Sequence, residues 1–278
     1  MDSCLHAYFV QNKELISSCD FNVEKLDNQG YVYEVVRVMQ AVPLFLEDHL
    51  KRMYNSLALA NSEPKVSSDF VRNSLLKLIS FNKVDYGNIK IIIGNPQDAH
   101  KPFYAAWFQP HFYPSDANYE QGVKVAFLEH ERPDPNAKIW RTNYQELVRE
   151  TKLRQGVFEL LLSNDGKVTE GSKSNIFLIK DQTIYTPPEL EVLNGITRQK
   201  VISLANHNNI HLVEKSVSKA DIAAADALFL SGTSPKILPV AMILPDKQFQ
   251  TDHPLLRKMI GLYDALIENY INENKPQQ

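Results

Sequence analysis

The sequence predicts an α+β fold divided between two domains, and three observations lead there. At 278 residues with 44% apolar content, the chain is long enough to bury sizeable cores. Strand-like runs and helix-like periods alternate in mixed order, the pattern of α+β chains rather than of all-α or all-β ones. The stretch Gln109-Pro110-His111-Phe112-Tyr113-Pro114-Ser115-Asp116-Ala117-Asn118 then breaks regularity with two prolines and polar residues. The predicted division is an N-terminal α/β domain over 1–112, a linker over 113–121 and a C-terminal domain over 122–278.

The elements follow in order. In the first part, apolar runs predict strands at Val32–Val38, Ile89–Ile93 and Phe103–Phe108. Helical spacing predicts helices at His49–Ala60 and Ser68–Ser80, the second behind a Ser67-Ser68-Asp69 cap. After the break come a strand at Val123–Leu128, the loop Arg132-Pro133-Asp134-Pro135-Asn136 and a helix from about Thr142 to Gln155. Leu160–Leu162 and Asn175–Ile179 are apolar runs, and Asn164-Asp165-Gly166 is a strong hairpin-turn signal. Further strands are expected near Leu212 and Leu228. A helix opens at Gly195-Ile196-Thr197 and runs to about Asn206, with Val201, Ile202, Leu204 and Ala205 on its apolar side. The last helix, about Pro254–Asn272, carries Leu255, Met259, Leu262, Leu266 and Tyr270 at helical spacing, a core stripe rather than a ligand box. There is no internal repeat, and 272–278 reads as a disordered tail.

Composition excludes more than it identifies. A net charge of -3 with scattered lysines and arginines leaves no basic stripe to follow a nucleic-acid backbone. Cys4 and Cys19 lack metal-ligand spacing, and no signal peptide or apolar run of membrane length is seen. The expected compartment is the cytoplasm, with both thiols reduced.

The segment from 170 to 198 carries the chemistry. Glu170 lies between buried elements, where a carboxylate is costly unless something positive meets it. Gly195-Ile196-Thr197 opens a helix, and a helix start offers free N–H groups and positive dipole to an anion, although alone it reads as a turn and a cap. Glu170-Gly171-Ser172-Lys173-Ser174-Asn175-Ile176-Phe177, then Ile184-Tyr185-Thr186, then Leu193-Asn194-Gly195-Ile196-Thr197-Arg198 resemble, in order and separation, the signature of class IV aminotransferases. These are fold-type IV enzymes that use pyridoxal 5'-phosphate (PLP).

That resemblance, covering about residues 8–245, implies a smaller N-terminal α/β sandwich and a larger C-terminal mixed α/β pseudo-barrel that binds the cofactor. It places Glu170 against the protonated pyridine nitrogen, with Asn175 beside it in the same motif. The phosphate falls on Ile196 and Thr197 at the helix start. Ser231-Gly232-Thr233-Ser234 resembles the family's second phosphate and substrate loop, which adds Thr233 and Ser234. Phe45-Leu46-Glu47-Asp48-His49-Leu50-Lys51-Arg52-Met53 resembles a family block whose arginine meets the phosphate, here Arg52. Lys138, 32 positions before Glu170 as in the D-amino acid branch, is implied as the Schiff-base lysine that moves the α proton. The family's asparagine three residues after it is replaced by Arg141, with Trp140 before it and Asn143-Tyr144 after.

Tyr31, Tyr33 and Arg37 share one face of a strand and are candidate pocket walls, aromatic core packing being the alternative for the tyrosines. His100 matches a carboxylate-trapping histidine of the D-amino acid branch, but Asp98 stands at that branch's arginine position and would repel a carboxylate. D-amino acid specificity is therefore disfavoured, and the frequency of such donors in the family this chain resembles favours a branched-chain-like L-amino acid as donor to a 2-oxo acid. A lyase resembling aminodeoxychorismate lyase and a non-catalytic phosphate-binding relative stay open as alternatives. Family members pair as homodimers, and the same is expected here.

Overall fold

The computed structural model describes residues 3–23, 31–62, 66–94, 103–131, 136–139 and 142–275. Two compact units emerge: 1–112 with 137–142 and 267–278, and 113–136 with 143–266.

The first unit is built on a six-stranded sheet. Its elements are β1 (Tyr8–Gln11), β2 (Glu14–Ser17), β3 (Val32–Met39), β4 (Val42–Pro43), α1 (Leu46–Leu59), α2 (Ser68–Asn82), β5 (Tyr86–Gly94) and β6 (Phe103–Gln109). Strand order is β2-β1-β6-β5-β3-β4, and neighbouring strands pair antiparallel throughout. β3 alternates between buried and half-buried along its whole length. Val32, Val36 and Val38 turn to one face, with Ile89, Ile91 and Ile93 of β5, and meet Leu50, Met53 and Leu57 of α1 and Leu75 and Leu78 of α2. The other face carries Tyr31, Ile92, Ala105 and Trp107, with Tyr33 packed alongside. Both predicted helices form, α1 starting about one turn earlier than expected, and Ser67 caps α2 by accepting the Phe70 amide at 3.2 Å.

The second unit holds a mixed ten-stranded sheet. It comprises α3 (Asp116–Gln121), β7 (Val123–Glu129), α4 (Thr142–Gln155), β8 (Glu159–Asn164), β9 (Lys167–Gly171), β10 (Asn175–Lys180), β11 (Thr183–Thr186), α5 (Ile196–His207), β12 (Leu212–Glu214), β13 (Val217–Ser218), α6 (Lys219–Ala223), β14 (Ala227–Gly232), β15 (Lys236–Ile243), β16 (Lys247–Gln248) and α7 (Pro254–Asn274), the last turns of α7 counting with the first unit. The order is β12-β11-β10-β14-β15-β7-β8-β9-β13, with β16 on β15. β7 and β8 are parallel and are joined through α4, as a parallel pair requires a crossover. β8 and β9 form the predicted hairpin. Asp165 and Gly166 both take positive φ, 49° and 78°, the type I′ geometry that Asp-Gly favours.

Two helices differ from expectation in which face they bury. In α5 the buried residues are Ile196, Thr197, Arg198, Val201 and Ala205, while Ile202 and Leu204 are not among them. In α7 the expected Leu255 and Met259 are buried, but beyond them the buried stripe runs through Tyr263, Ile267 and Ile271, rotated from the expected Leu262, Leu266 and Tyr270. Both sets obey i, i+3/i+4 spacing, so periodicity alone could not choose between adjacent stripes. Part of the segment expected as a linker, 113–121, is ordered as α3, closed by a capping box between Ser115 and Asn118.

Candidate active site

The candidate residues fall into two groups, one in each unit. In the first unit, residues 137–139 lie along the start of β3. The Tyr33 amide donates to the Lys138 carbonyl at 3.0 Å, and Val32 and Ile139 form an antiparallel bridge. The Lys138 amide reaches Ser56 Oγ on α1 at 3.4 Å, so the backbone of this lysine is held between strand and helix. Its ammonium sits 5.1 Å from the centre of the Tyr33 ring, within cation–π range. Trp140, Arg141 and His100 lie outside the described residues.

Arg52 is 8% exposed, not a surface charge. Its Nε and Nη2 donate to Glu34 at 2.7 Å each, and His49 Nδ1 donates to the same carboxylate at 2.8 Å. Glu34 is fully buried. Burial pushes its carboxyl up, but Arg52, Lys138 and His49 together outweigh that and hold it well below the usual carboxylate range. Burial lowers His49, with the bond to Glu34 opposing. Sequence reasoning did not single out Glu34 or His49. The signal was there: Glu34 is the one charged residue on the β3 face otherwise made of Val32, Val36 and Val38.

On the opposite face of the sheet, Tyr31 is 4% exposed and packs on Phe103 with ring centres 5.3 Å apart, while Tyr33 and Arg37 are half-buried. Lys90, buried on β5, places its ammonium 5.6 Å from both the Tyr33 and the Trp107 rings.

In the second unit, Glu170 on β9 is 2% exposed and accepts the Leu193 amide at 3.2 Å. Asn175, at the start of β10, donates to the Leu193 carbonyl at 2.8 Å. Both motif side chains thus converge on the segment that leads into α5. Gly195 is the N-cap of α5 and supplies no side-chain cap; a Cβ there would lie 2.2 Å from Asn175 Oδ1. The first turn of this 12-residue helix holds Ile196 and Thr197, both buried, with the Thr197 hydroxyl 3.3 Å from that of Tyr263. Arg198 fastens the approach to the helix by donating to the Pro187 carbonyl at 2.9 Å and to Asn194 Oδ1 at 3.3 Å, and by pairing with Glu214.

β14 lies beside β10 with Ser231 opposite Asn175, and residues opposite one another in an antiparallel pair point to the same face. Ser231 therefore shares the face on which Asn175 reaches the α5 start. Its hydroxyl oxygen is buried with no hydrogen-bond partner among the described residues. Thr233 and Ser234 follow in the half-buried turn to β15. No group of three or more potential metal ligands occurs among the described residues.

Comparison with known proteins bears on the family and the fold. The class IV amino-transferase family model matches residues 31–243. A D-alanine aminotransferase of Bacillus licheniformis is 28% identical over 241 residues, which cover 82% of this chain and 84% of that protein. A branched-chain-amino-acid aminotransferase of Pseudomonas aeruginosa is 28% identical over 229 residues, 75% of this chain and 74% of that protein. Among solved structures, the Escherichia coli branched-chain amino acid aminotransferase superposes with a TM-score of 0.84 at 23% identity, covering 94% of this chain and 95% of that one. This structural likeness establishes a fold-type IV architecture, and the family match, spanning most of the sequence, establishes that the chain belongs to the class IV aminotransferases.

Proposed function

We propose that this class IV aminotransferase binds PLP and moves an amino group between a branched-chain-like L-amino acid and a 2-oxo acid. The observation that carries the cofactor reading is the surroundings of α5. An uncapped helix start, the buried unpartnered Ser231 hydroxyl and the buried Glu170 carboxylate all belong to one small region of the second unit. A helix N-terminus suits a phosphate, and a buried carboxylate suits a protonated ring nitrogen, so the residues present fit the group.

In this reading Glu170 holds the pyridine nitrogen protonated, with Asn175 fixing the neighbouring backbone. The Ile196 and Thr197 amides, with Thr233 and Ser234, bind the phosphate. Arg52 is proposed to meet the phosphate as the family resemblance implies, with Glu34 accepting from two of its guanidinium nitrogens. Lys138 would hold the cofactor by its side-chain nitrogen and would be the base that takes up and returns the substrate's α proton. Bound PLP supplies the electron sink that accepts the pair left when the α proton departs.

The substrate reading takes Tyr31, Tyr33 and Arg37 as walls of the amino-acid pocket, and its branched-chain preference rests on how common such donors are in the family rather than on the chemistry of these side chains. It also draws on the branched-chain name of the Pseudomonas relative and on Asp98, which stands where the D-amino acid branch has an arginine. His100 is proposed as a further substrate contact from sequence alone. A homodimer in the cytoplasm is proposed with it; light scattering at micromolar concentration should give twice the 31.8 kDa chain mass.

The test is borohydride reduction of the purified holoprotein followed by peptide mapping, with the pyridoxyl adduct expected on Lys138. A donor panel of L-leucine, L-isoleucine, L-valine and D-alanine against 2-oxoglutarate and pyruvate should turn over the L-donors. Turnover of D-alanine alone would overturn the substrate reading. Release of pyruvate and aminobenzoate from aminodeoxychorismate would replace transamination by elimination.

A further inference from the structure

Glu159, the first residue of β8, is 4% exposed in an apolar strand, yet its carboxylate is fully engaged. Oε1 accepts the Leu160 amide at 2.8 Å and a short bond from the Ser172 hydroxyl. Oε2 accepts the Lys173 amide at 3.2 Å and the Ser174 hydroxyl at 3.1 Å. Three of these four donors come from Ser172, Lys173 and Ser174, the three residues between the end of β9 and the start of β10. Those strands carry Glu170 and Asn175, the two side chains that converge on Leu193.

The same three-residue link is fixed by other bonds. The Ser172 amide donates to the Leu160 carbonyl at 2.8 Å, the Gly171 amide to the Ser174 carbonyl at 2.7 Å, and the Tyr144 hydroxyl to the Ser172 carbonyl at 3.3 Å. A Cβ on Gly171 would lie 2.1 Å from Ser174 Oγ, so any other residue there would have to displace the hydroxyl that donates to Glu159. An apolar strand residue would serve packing as well as Glu159 does. A carboxylate is what two backbone amides and two hydroxyls converging from one side require.

We propose that Glu159 is a positioning residue: by clamping Ser172–Ser174 it sets the direction in which Glu170 faces the cofactor ring and Asn175 faces the α5 start. This rests on the assignment of Glu170 to the pyridine nitrogen. Glu159 acts on the reaction only through Glu170 and Asn175. Replacing it with glutamine keeps the shape but turns an NH2 toward an amide that cannot reverse its polarity, so one arm of the clamp opens.

The experiment compares Glu159→Gln, the double variant Ser172→Ala/Ser174→Ala and Glu170→Gln with the parent protein. In cofactor-free protein, amide hydrogen exchange is expected to quicken tenfold or more at whichever of Leu160 and Lys173 meets the new NH2 in Glu159→Gln, and at Lys173 in the double serine variant, where the link loses both hydroxyl bonds, with Val201 and Ala205 unchanged. In holoprotein, the visible absorbance of the bound cofactor and its pH titration are expected to move in the same direction as in Glu170→Gln, and cofactor affinity to fall. If Glu170→Gln leaves the spectrum unchanged, the pyridine assignment fails and this inference falls with it. If Glu170→Gln shifts the spectrum while Glu159→Gln folds and leaves both spectrum and exchange as in the parent, only the Glu159 inference is overturned. Should Glu159→Gln not fold, the double serine variant decides between the same two outcomes.

Discussion

At the scale of single residues, the two candidate sites are organised by buried acids whose partners differ. Glu34 has a guanidinium and an imidazole, and removing the carboxylate takes from the buried Arg52 the acid it donates to twice. Loss of one partner of such a pair costs about 3–5 kcal/mol. Glu34→Leu is therefore expected to lower the urea midpoint markedly while Glu34→Gln, which keeps part of the hydrogen bonding, lowers it less; equal midpoints for Leu and parent would contradict the pairing. Gly195 is the second sensitive position. Its added methyl would meet Asn175 Oδ1 at 2.2 Å, so Gly195→Ala must push Asn175 off the Leu193 carbonyl or move the start of α5. The loss of one hydrogen bond, about 1 kcal/mol, predicts a roughly five- to tenfold weaker hold on PLP by fluorescence titration, with little change in far-UV circular dichroism.

Secondary-structure elements were well specified wherever local chemistry acts alone. Asn164-Asp165-Gly166 names its own turn because two successive positive φ values are tolerated by few other pairs, and the turn forms there. Ser67 caps α2 as its position ahead of the helical period implies. Ser67→Ala should cost about 1 kcal/mol and Ser67→Asp should largely restore it, measured by thermal unfolding; no loss in the alanine variant would mean the Phe70 amide finds another acceptor. Helix faces were less legible. In α7 the choice between the Leu262/Leu266 stripe and the Tyr263/Ile267 stripe is a rotation of one residue, and only the packing partners select it. Lys138 shows the same limit: spacing selects the residue, but its backbone pairing with Tyr33 depends on a strand far earlier in the chain.

At the scale of the molecule, the first unit's buried charges predict its response to acid. Glu34 is held below the usual carboxylate range, so its contribution is complete above a pH of about 4.3 and is lost as pH falls further. His49 is also lowered, so it folds neutral, and proton uptake by the unfolded chain begins to weaken the fold below a pH of about 6.5. Both act in the same direction. The urea midpoint should therefore decline as pH falls below about 6.5 and decline more steeply below about 4.3. His49→Gln should flatten the upper part of that curve, and a flat curve in the parent between a pH of about 7 and about 5 would speak against a neutral buried His49. No helix among the described residues is long and apolar enough to cross a membrane.

By itself the sequence determined the family, the order of the elements, the hairpin turn, the Ser67 cap and the spacing between Lys138 and Glu170, because each is written in neighbouring residues or in fixed separations. Only the tertiary structure decided that Arg52 is buried against Glu34, that Ser231 shares a sheet face with Asn175, and that Glu159 fastens the link beside Glu170. The physical reason is the same in all three: the partner of a buried polar group is whatever the fold brings within hydrogen-bond reach, and one chain position says nothing about which distant donor will arrive there.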